Sequence, residues 1–393
     1  MHRYAVGGLL VVSLHGCRCD VPSETSPVSQ ATAVPSWSVE PPPRPARDGM
    51  VWIPAGTLLA GTKPGQLPRI ADQELPGTPI ELEGFFIDRF NYPPEPGAIP
   101  LTGISQAEAR AICEEQGKRL CTELEWERAC KGPSNAIYDY GDAYDASICG
   151  TGHTDALAPN GVNTRSRTAF GVRDMHGSAF NWTSSPWRRG DAQDGALVAV
   201  RGGNGEDGEL MGRCANARAL DPQQRDPRVG VRCCAGHVNA AAVALDVERG
   251  NELAYRPFDP AIARKLEALV PPEIARAVAD RPPADHFVVK RLWMWRPIGN
   301  EELVIGGGCA HPPVHDACGV LVARLAEEVE LLAFVSSDWW IPTVGEHEDP
   351  RTVYVYGGDI GGAFRKPMVY AWGRIREGDK YRKKKGGWTS PAR

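Results

Sequence analysis

Eleven cysteines are set along the 393 residues, and seven of them fall between residues 113 and 234. A reducing cytosol keeps thiols apart, whereas exported chains join them. The chain is therefore expected to fold in an oxidising compartment around disulfide bridges. Its length fits two or three domains. Hydrophobic residues make up 42 % and charged residues 24 %, enough to build a core. With 44 basic and 49 acidic residues the net charge is -5, which excludes a strongly basic nucleic-acid binder.

The N-terminus agrees with export. Arg3 gives a positive start, and residues 5–14 form an apolar run too short to cross a bilayer but suited to a signal over residues 1–16. The run ends Leu14-His15-Gly16-Cys17, which resembles a bacterial lipobox, although His15 is unusual there. Cys17 is the expected lipidation site, and a diacylated cysteine anchors stably to a membrane. Plain secretion and a buried N-terminal helix are the alternatives. Residues 17–47 read as a lipidated tether rich in Ser, Thr and Pro, ending in a Pro run that favours extended chain. No other stretch approaches 18 apolar residues.

The first folded block is expected over residues 48–236. Met50-Val51-Trp52-Ile53-Pro54-Ala55-Gly56 reads as a strand and turn, and residues 85–90 as a second strand. Ser105 followed by Glu108, and Thr122 followed by Glu125, are capping-box signatures that start two helices. After Cys130 about 100 residues are Gly-rich and poor in periodicity, the kind of region that disulfides or bound ions stabilise.

These blocks resemble the sulfatase-modifying factor, or formylglycine-generating enzyme, family. Its typical helix segment is similar to Gly117-Lys118-Arg119-Leu120-Cys121-Thr122-Glu123-Leu124-Glu125-Trp126-Glu127. Tyr140-Gly141-Asp142, residues 169–177, Trp182-Thr183-Ser184, Arg201-Gly202-Gly203 and Val229-Gly230-Val231-Arg232-Cys233 follow in family order. The resemblance implies a C-type-lectin-like α+β fold with much irregular structure. It also implies bridges Cys113–Cys233 and Cys130–Cys214. One further bridge is expected among Cys121, Cys149 and Cys234, and sequence does not choose it.

The family's enzyme uses two copper-binding cysteines between the Arg-Gly-Gly strand and the position of Cys214. Residues 204–213 contain no cysteine, and carboxylates do not replace thiolates for Cu(I). No catalytic residue and no metal ligand is therefore assigned. The family's calcium run appears as Gly177-Ser178-Ala179-Phe180-Asn181-Trp182, with Ser178 and Asn181 in place of an Asn and a Glu. Calcium remains open there, because backbone carbonyls also ligate it. Candidate iron ligands are His153, Asp174, His176, Glu206 and Asp207, but their spacing makes no facial triad. His176 reads as structural or surface-placed, and the acidic run 206–209 as a solvated turn.

Residues 237–393 match no family by motif. They read as an Ala-rich connector, one or two helices over 260–279, then strands at 287–295, 302–305, 320–325, 329–335, 352–356 and 368–375. A second α+β domain with an antiparallel sheet follows. Cys309 and Cys318, with His311 and His315 between them, read as a disulfide rather than a zinc site. Trp293, Trp295, Trp339 and Trp340 read as sheet core, with an aromatic binding surface as the alternative. Lys380 to Lys385 reads as a solvated basic end. The expectation is an exported, membrane-anchored lipoprotein of the periplasm or outer membrane, with an envelope ligand or protein as partner. Its first domain would be a non-catalytic binding or structural module. A non-haem iron oxidoreductase, and a function carried by the C-terminal domain, are the rivals.

Overall fold

A computed structural model describes residues 46–393 apart from 64–65, 67–68, 72, 150–156, 164, 190–195, 204–211, 244–252, 257, 299–300, 311–317, 339–342, 348, 361, 385–386 and 390–393. The signal, Cys17 and all but the last two residues of the tether lie outside the described residues, as do His153, Glu206, Asp207, His311, His315, Trp339 and Trp340. Among the described residues no helix is long and apolar enough to cross a membrane.

The N-terminal block joins short sheets through long loops. Strands β1 (Met50–Ile53), β2 (Gly56–Gly61), β3 (Pro76–Leu82) and β4 (Phe85–Asp88) come first. Helix α1 (Gln106–Glu115), strand β5 (Arg119–Leu120) and helix α2 (Glu123–Lys131) follow. After the short α3 (Ala146–Cys149) come β6 (Phe180–Pro186), β7 (Val198–Gly202), β8 (Ala217–Leu220), β9 (Val229–Gly230) and β10 (Cys233–Gly236). One sheet has the order β1-β4-β10-β5, another β8-β7-β6-β9, and β2 pairs with β3. Both helices begin with the capping boxes read in the sequence. The Ser105 and Thr122 side chains accept the Glu108 and Glu125 amides, and both glutamates reach back to the cap amides. Each such cap satisfies two end donors and contributes about 1 kcal/mol.

Three disulfides close this block: Cys113–Cys233, Cys121–Cys234 and Cys130–Cys214. The second is the pairing that sequence left open. Successive residues of a strand point to opposite faces, so the adjacent Cys233 and Cys234 serve different cores. Cys233 and Cys113 pack with Phe180, Trp182 and Val231, whereas Cys234 and Cys121 pack with Ile53, Ile87 and Trp126.

The C-terminal block is layered. The cap Asp259 accepts the Ala261 and Ile262 amides at the start of α4 (Pro260–Glu267), and α5 (Pro272–Ala277) follows. Strand β11 (Ala254–Arg256), which precedes the helices, and β12 (Val288–Trp295), β13 (Leu303–Cys309), β14 (Cys318–Leu325) and β15 (Val329–Ser337), which follow them, pair in chain order as an antiparallel meander. Alternation along them fills two cores. Leu303, Ile305, Val320 and Val322 face a second sheet, while Val304, Leu321 and Ala323 face Ala263, Leu266 and Ile274 of the helices. That second sheet holds β16 (Thr343–Glu346), β17 (Thr352–Asp359), β18 (Gly362–Ala371), β19 (Arg374–Glu377), β20 (Tyr381–Lys384) and β21 (Gly387–Thr389). Ala71 of the N-terminal block joins the core between the two sheets. One sequence reading is corrected here. Residues 368–375 are not one strand: Trp372 and Gly373 take φ of 55° and 74°, turning β18 back into β19. Two successive positive φ values make the tight hairpin that suits strand twist.

Candidate functional site

The helix-strand pair that carries the family motifs also carries a buried ion cluster. Glu123, Glu127 and Lys131 recur every four residues along α2, so they share one face. That face meets β7, and Arg201 reaches across with Nη2 2.9 Å from both Glu123 and Glu127. Arg189 adds a contact to Glu123 at 2.8 Å, and Lys131 lies 2.8 Å from Glu127. Arg201 Nη1 also donates to the carbonyls of Cys214, Ala215 and Asn216. Burial pushes the Glu123 carboxyl up, but Arg189 and Arg201 outweigh it and hold the group below the ordinary carboxylate range. Every charge here has a counter-charge, so the cluster fixes the strand that precedes residues 204–211 instead of moving protons.

Beside it lies a cavity of about 310 Å3 with mixed polar and apolar walls, lined in part by Lys63, Lys131, Asn135, Asp142 and Arg213. Lys131 donates to the Leu59 and Gly61 carbonyls besides pairing with Glu127. Arg213 pairs with Glu74, and Asp142 accepts the Ile137 amide. The cavity offers hydrogen bonds to a small ligand, and no cysteine is among its described lining residues.

Copper does not fit the residues present. The six cysteines at 113, 121, 130, 214, 233 and 234 are all oxidised in bridges, and residues 204–213 contain none. His176 is fully buried, with Nδ1 3.9 Å from Cys130 Sγ, and its side chain gathers with Cys130 and Cys214. The two sulfurs are bonded to each other, so they present no thiolate to a metal. Burial holds the imidazole neutral, with its pKa pushed down to about 3. Asp174, the other described candidate iron ligand, instead directs Oδ2 to the Gly161 amide at 2.6 Å. The structure does not join it to His176 in a ligand set.

Calcium fits the 177–182 run no better. Asn181 accepts from Trp126 Nε1 at 2.9 Å and donates to Asn91 at 2.8 Å, while Ser178 donates to the Ala158 carbonyl. Arg232 lies alongside, donating from Nη1 to the Asp88 carbonyl and from Nη2 to the Arg173 carbonyl. Burial lowers this guanidinium to about 10, and Asp174, Asp88 and Asp139 oppose the fall. Asp139 and Asp174 each keep one buried oxygen without a hydrogen-bond partner, yet the positive charge they face is already supplied by Arg232. A guanidinium in that place repels a divalent cation.

In the C-terminal block Cys309 and Cys318 are directly opposed on β13 and β14 and are bonded. Trp293 and Trp295 lie in the core between the two sheets. Sequence reasoning missed the ion cluster, because Glu and Lys read as solvated. The four-residue spacing on α2, opposite an Arg in an otherwise apolar strand, is the signal that could have found it.

Residues 91–236 match the family model described as the sulfatase-modifying factor enzyme 1-like domain. The formylglycine-generating enzyme of Bos taurus is 25 % identical over 174 residues, 35 % of this chain and 44 % of that protein. The hercynine oxygenase of Mycolicibacterium thermoresistibile is 37 % identical over 95 residues, 23 % of this chain and 21 % of that protein. The inactive C-alpha-formylglycine-generating enzyme 2 of Bos taurus is 25 % identical over 154 residues, 35 % of this chain and 50 % of that protein. The chain spans half or less of the length of each of these relatives. By this match residues 91–236 form a divergent sulfatase-modifying factor enzyme 1-like domain.

Proposed function

We propose that the protein is an exported lipoprotein of the cell envelope, anchored through Cys17, whose sulfatase-modifying factor-like domain is a non-catalytic binding or structural module. One observation carries the reading: residues 204–213, where a thiol oxidase of this family needs two thiols, contain no cysteine, and six of the domain's seven cysteines are bridged. The relative named as inactive is in keeping with it. Four disulfides support an oxidising compartment.

The test is a thiol count with elemental analysis of the exported full chain. Four bridges and an acylated Cys17 leave at most Cys19 and Cys149 as titratable thiols. No stoichiometric copper or iron, and no conversion of a cysteine peptide to formylglycine, is the expected result. Exchange of Cys17→Ser should move the protein from the membrane to the soluble fraction. The local similarity to a hercynine oxygenase favours a second reading, an iron-dependent oxidoreductase. One equivalent of iron would establish that reading and overturn the first.

A further inference from the structure

Three arginines meet at a separate cavity of about 450 Å3, whose walls include Trp52, Phe90 and Phe170 together with Arg89, Arg167 and Arg173. Distant parts of the chain bring them together. The Arg89 amide donates to the Gly49 carbonyl at 3.0 Å, and the Arg89 carbonyl accepts from the Arg173 amide at 2.9 Å. Arg173 in turn lies directly opposite Arg167 in an antiparallel bridge. A tight loop makes that pairing, with Thr168 and Gly171 hydrogen-bonded across it and Gly171 at φ 101°.

Like charges set directly opposite each other destabilise a strand pair unless a counter-charge lies between them. Asp174 reaches Arg173 through space only, and it does so while also facing Arg232. None of the three guanidiniums forms an ion pair with a described residue, and Arg173 Nε is buried without a hydrogen-bond partner. The neighbouring acids are turned elsewhere, Asp88 to Lys118 at 2.8 Å and Asp174 to the Gly161 amide. Arg89 and Arg167 are exposed and Arg173 is half-buried, so a ligand can reach all three. Trp52 and Phe170, both half-buried, add apolar surface.

We propose that this cavity binds a small organic anion, its phosphoryl, sulfuryl or carboxyl group among Arg89, Arg167 and Arg173 and its flat apolar body against Trp52, Phe90 and Phe170. Guanidiniums suit oxyanions because their planar donors engage two oxygens at once. The volume falls in the range of small-molecule sites. The cavity shares no lining residue with the one beside the ion cluster, and the proposal does not depend on whether the domain is catalytic.

Calorimetric titration of the full chain with phenyl phosphate and with inorganic phosphate tests this. Phenyl phosphate should bind, inorganic phosphate more weakly, and added salt should weaken both. The Arg89→Gln and Arg167→Gln double variant should lose about tenfold in affinity for each guanidinium removed. Its melting temperature should stay level or rise, because repulsion is relieved, which separates lost binding from lost folding. Trp52→Leu should lower affinity for phenyl phosphate and leave inorganic phosphate unchanged. Phosphatidylcholine vesicles with and without phosphatidylglycerol test a headgroup as the source of the anion. Vesicle binding that phenyl phosphate displaces supports the site with a lipid source. Absence of binding by either phosphate, equal binding by the double variant, or vesicle binding that phenyl phosphate does not displace would overturn it.

Discussion

Exchanging Asp139 for Asn should change how stability responds to acid, because two buried groups of opposite sign titrate in the same interval. Asp139 is 3 % exposed and accepts from Ser166 Oγ at 2.8 Å. Burial pushes its carboxyl up from 3.8 to about 6, and the charge of Asp174 adds to the rise. The stability tied to Asp139 is therefore fully present below about pH 4 and lost as pH climbs through about 6, a span of about 3 kcal/mol. His176 works the other way. Burial lowers it from 6.5 to about 3, so its share is present above pH 6.5 and lost as pH falls, a span of about 5 kcal/mol. Between pH 4 and 6 the slopes oppose, and the wild-type curve is shallower than His176 alone would make it. Urea unfolding with the disulfides intact, followed by Trp fluorescence, gives the free energy of each form at several pH values. The wild type should lose about 3 kcal/mol relative to Asp139→Asn as pH rises from about 4 to about 7. A difference constant within about 0.5 kcal/mol over that interval would refute the reasoning, since 3 kcal/mol is about six times larger.

Three further outcomes follow from the same contacts. Arg201→Met should cost about 3–5 kcal/mol in urea unfolding, because it strands carboxylates and three carbonyls in the core, and a loss under about 1 kcal/mol would contradict that. Removing the Cys121–Cys234 bridge as an Ala pair should cost about 3 kcal/mol and not about 5, because the neighbouring Cys113–Cys233 bridge leaves only a short loop to open. Guanidinium unfolding of that variant distinguishes the two values. A calcium chelator should leave the melting temperature unchanged, with Ser178 and Asn181 already hydrogen-bonded to protein groups; a drop of several degrees would show a calcium site after all.

What sequence revealed was local. The helix starts at Ser105 and Thr122 were legible because a capping box needs only four neighbouring residues. The meander of β12 to β15 was legible because Val, Ile and Leu crowd its strands. Its β13 and β14 bury both faces, so alternation by polarity was no guide there, and the Cys309–Cys318 pairing fixes their register. The turn at Trp372 was missed because a large aromatic rarely takes positive φ. The arginine cavity and the ion cluster were hidden for another reason. Arg89 lies 84 residues before Arg173 in sequence, and only backbone hydrogen bonds between loops bring them side by side. Nothing periodic announces such a meeting, and a charged residue alone reads as solvated.

The neighbouring Cys233 and Cys234 also set the order in which this block can be completed. In an exported chain, as proposed above, their partners Cys113 and Cys121 would leave the ribosome and the channel 120 and 113 residues earlier. An oxidant that joins cysteines as they emerge would link Cys113 to Cys121 and leave Cys130 for whichever thiol came next. The native pairs cross those boundaries, and six cysteines admit 15 complete arrangements. Reaching the native one requires attack of thiolates on wrong bridges, a slow exchange that isomerases speed. The yield of soluble protein from an exporting cell should thus depend on a working disulfide isomerase more than on the supply of oxidant.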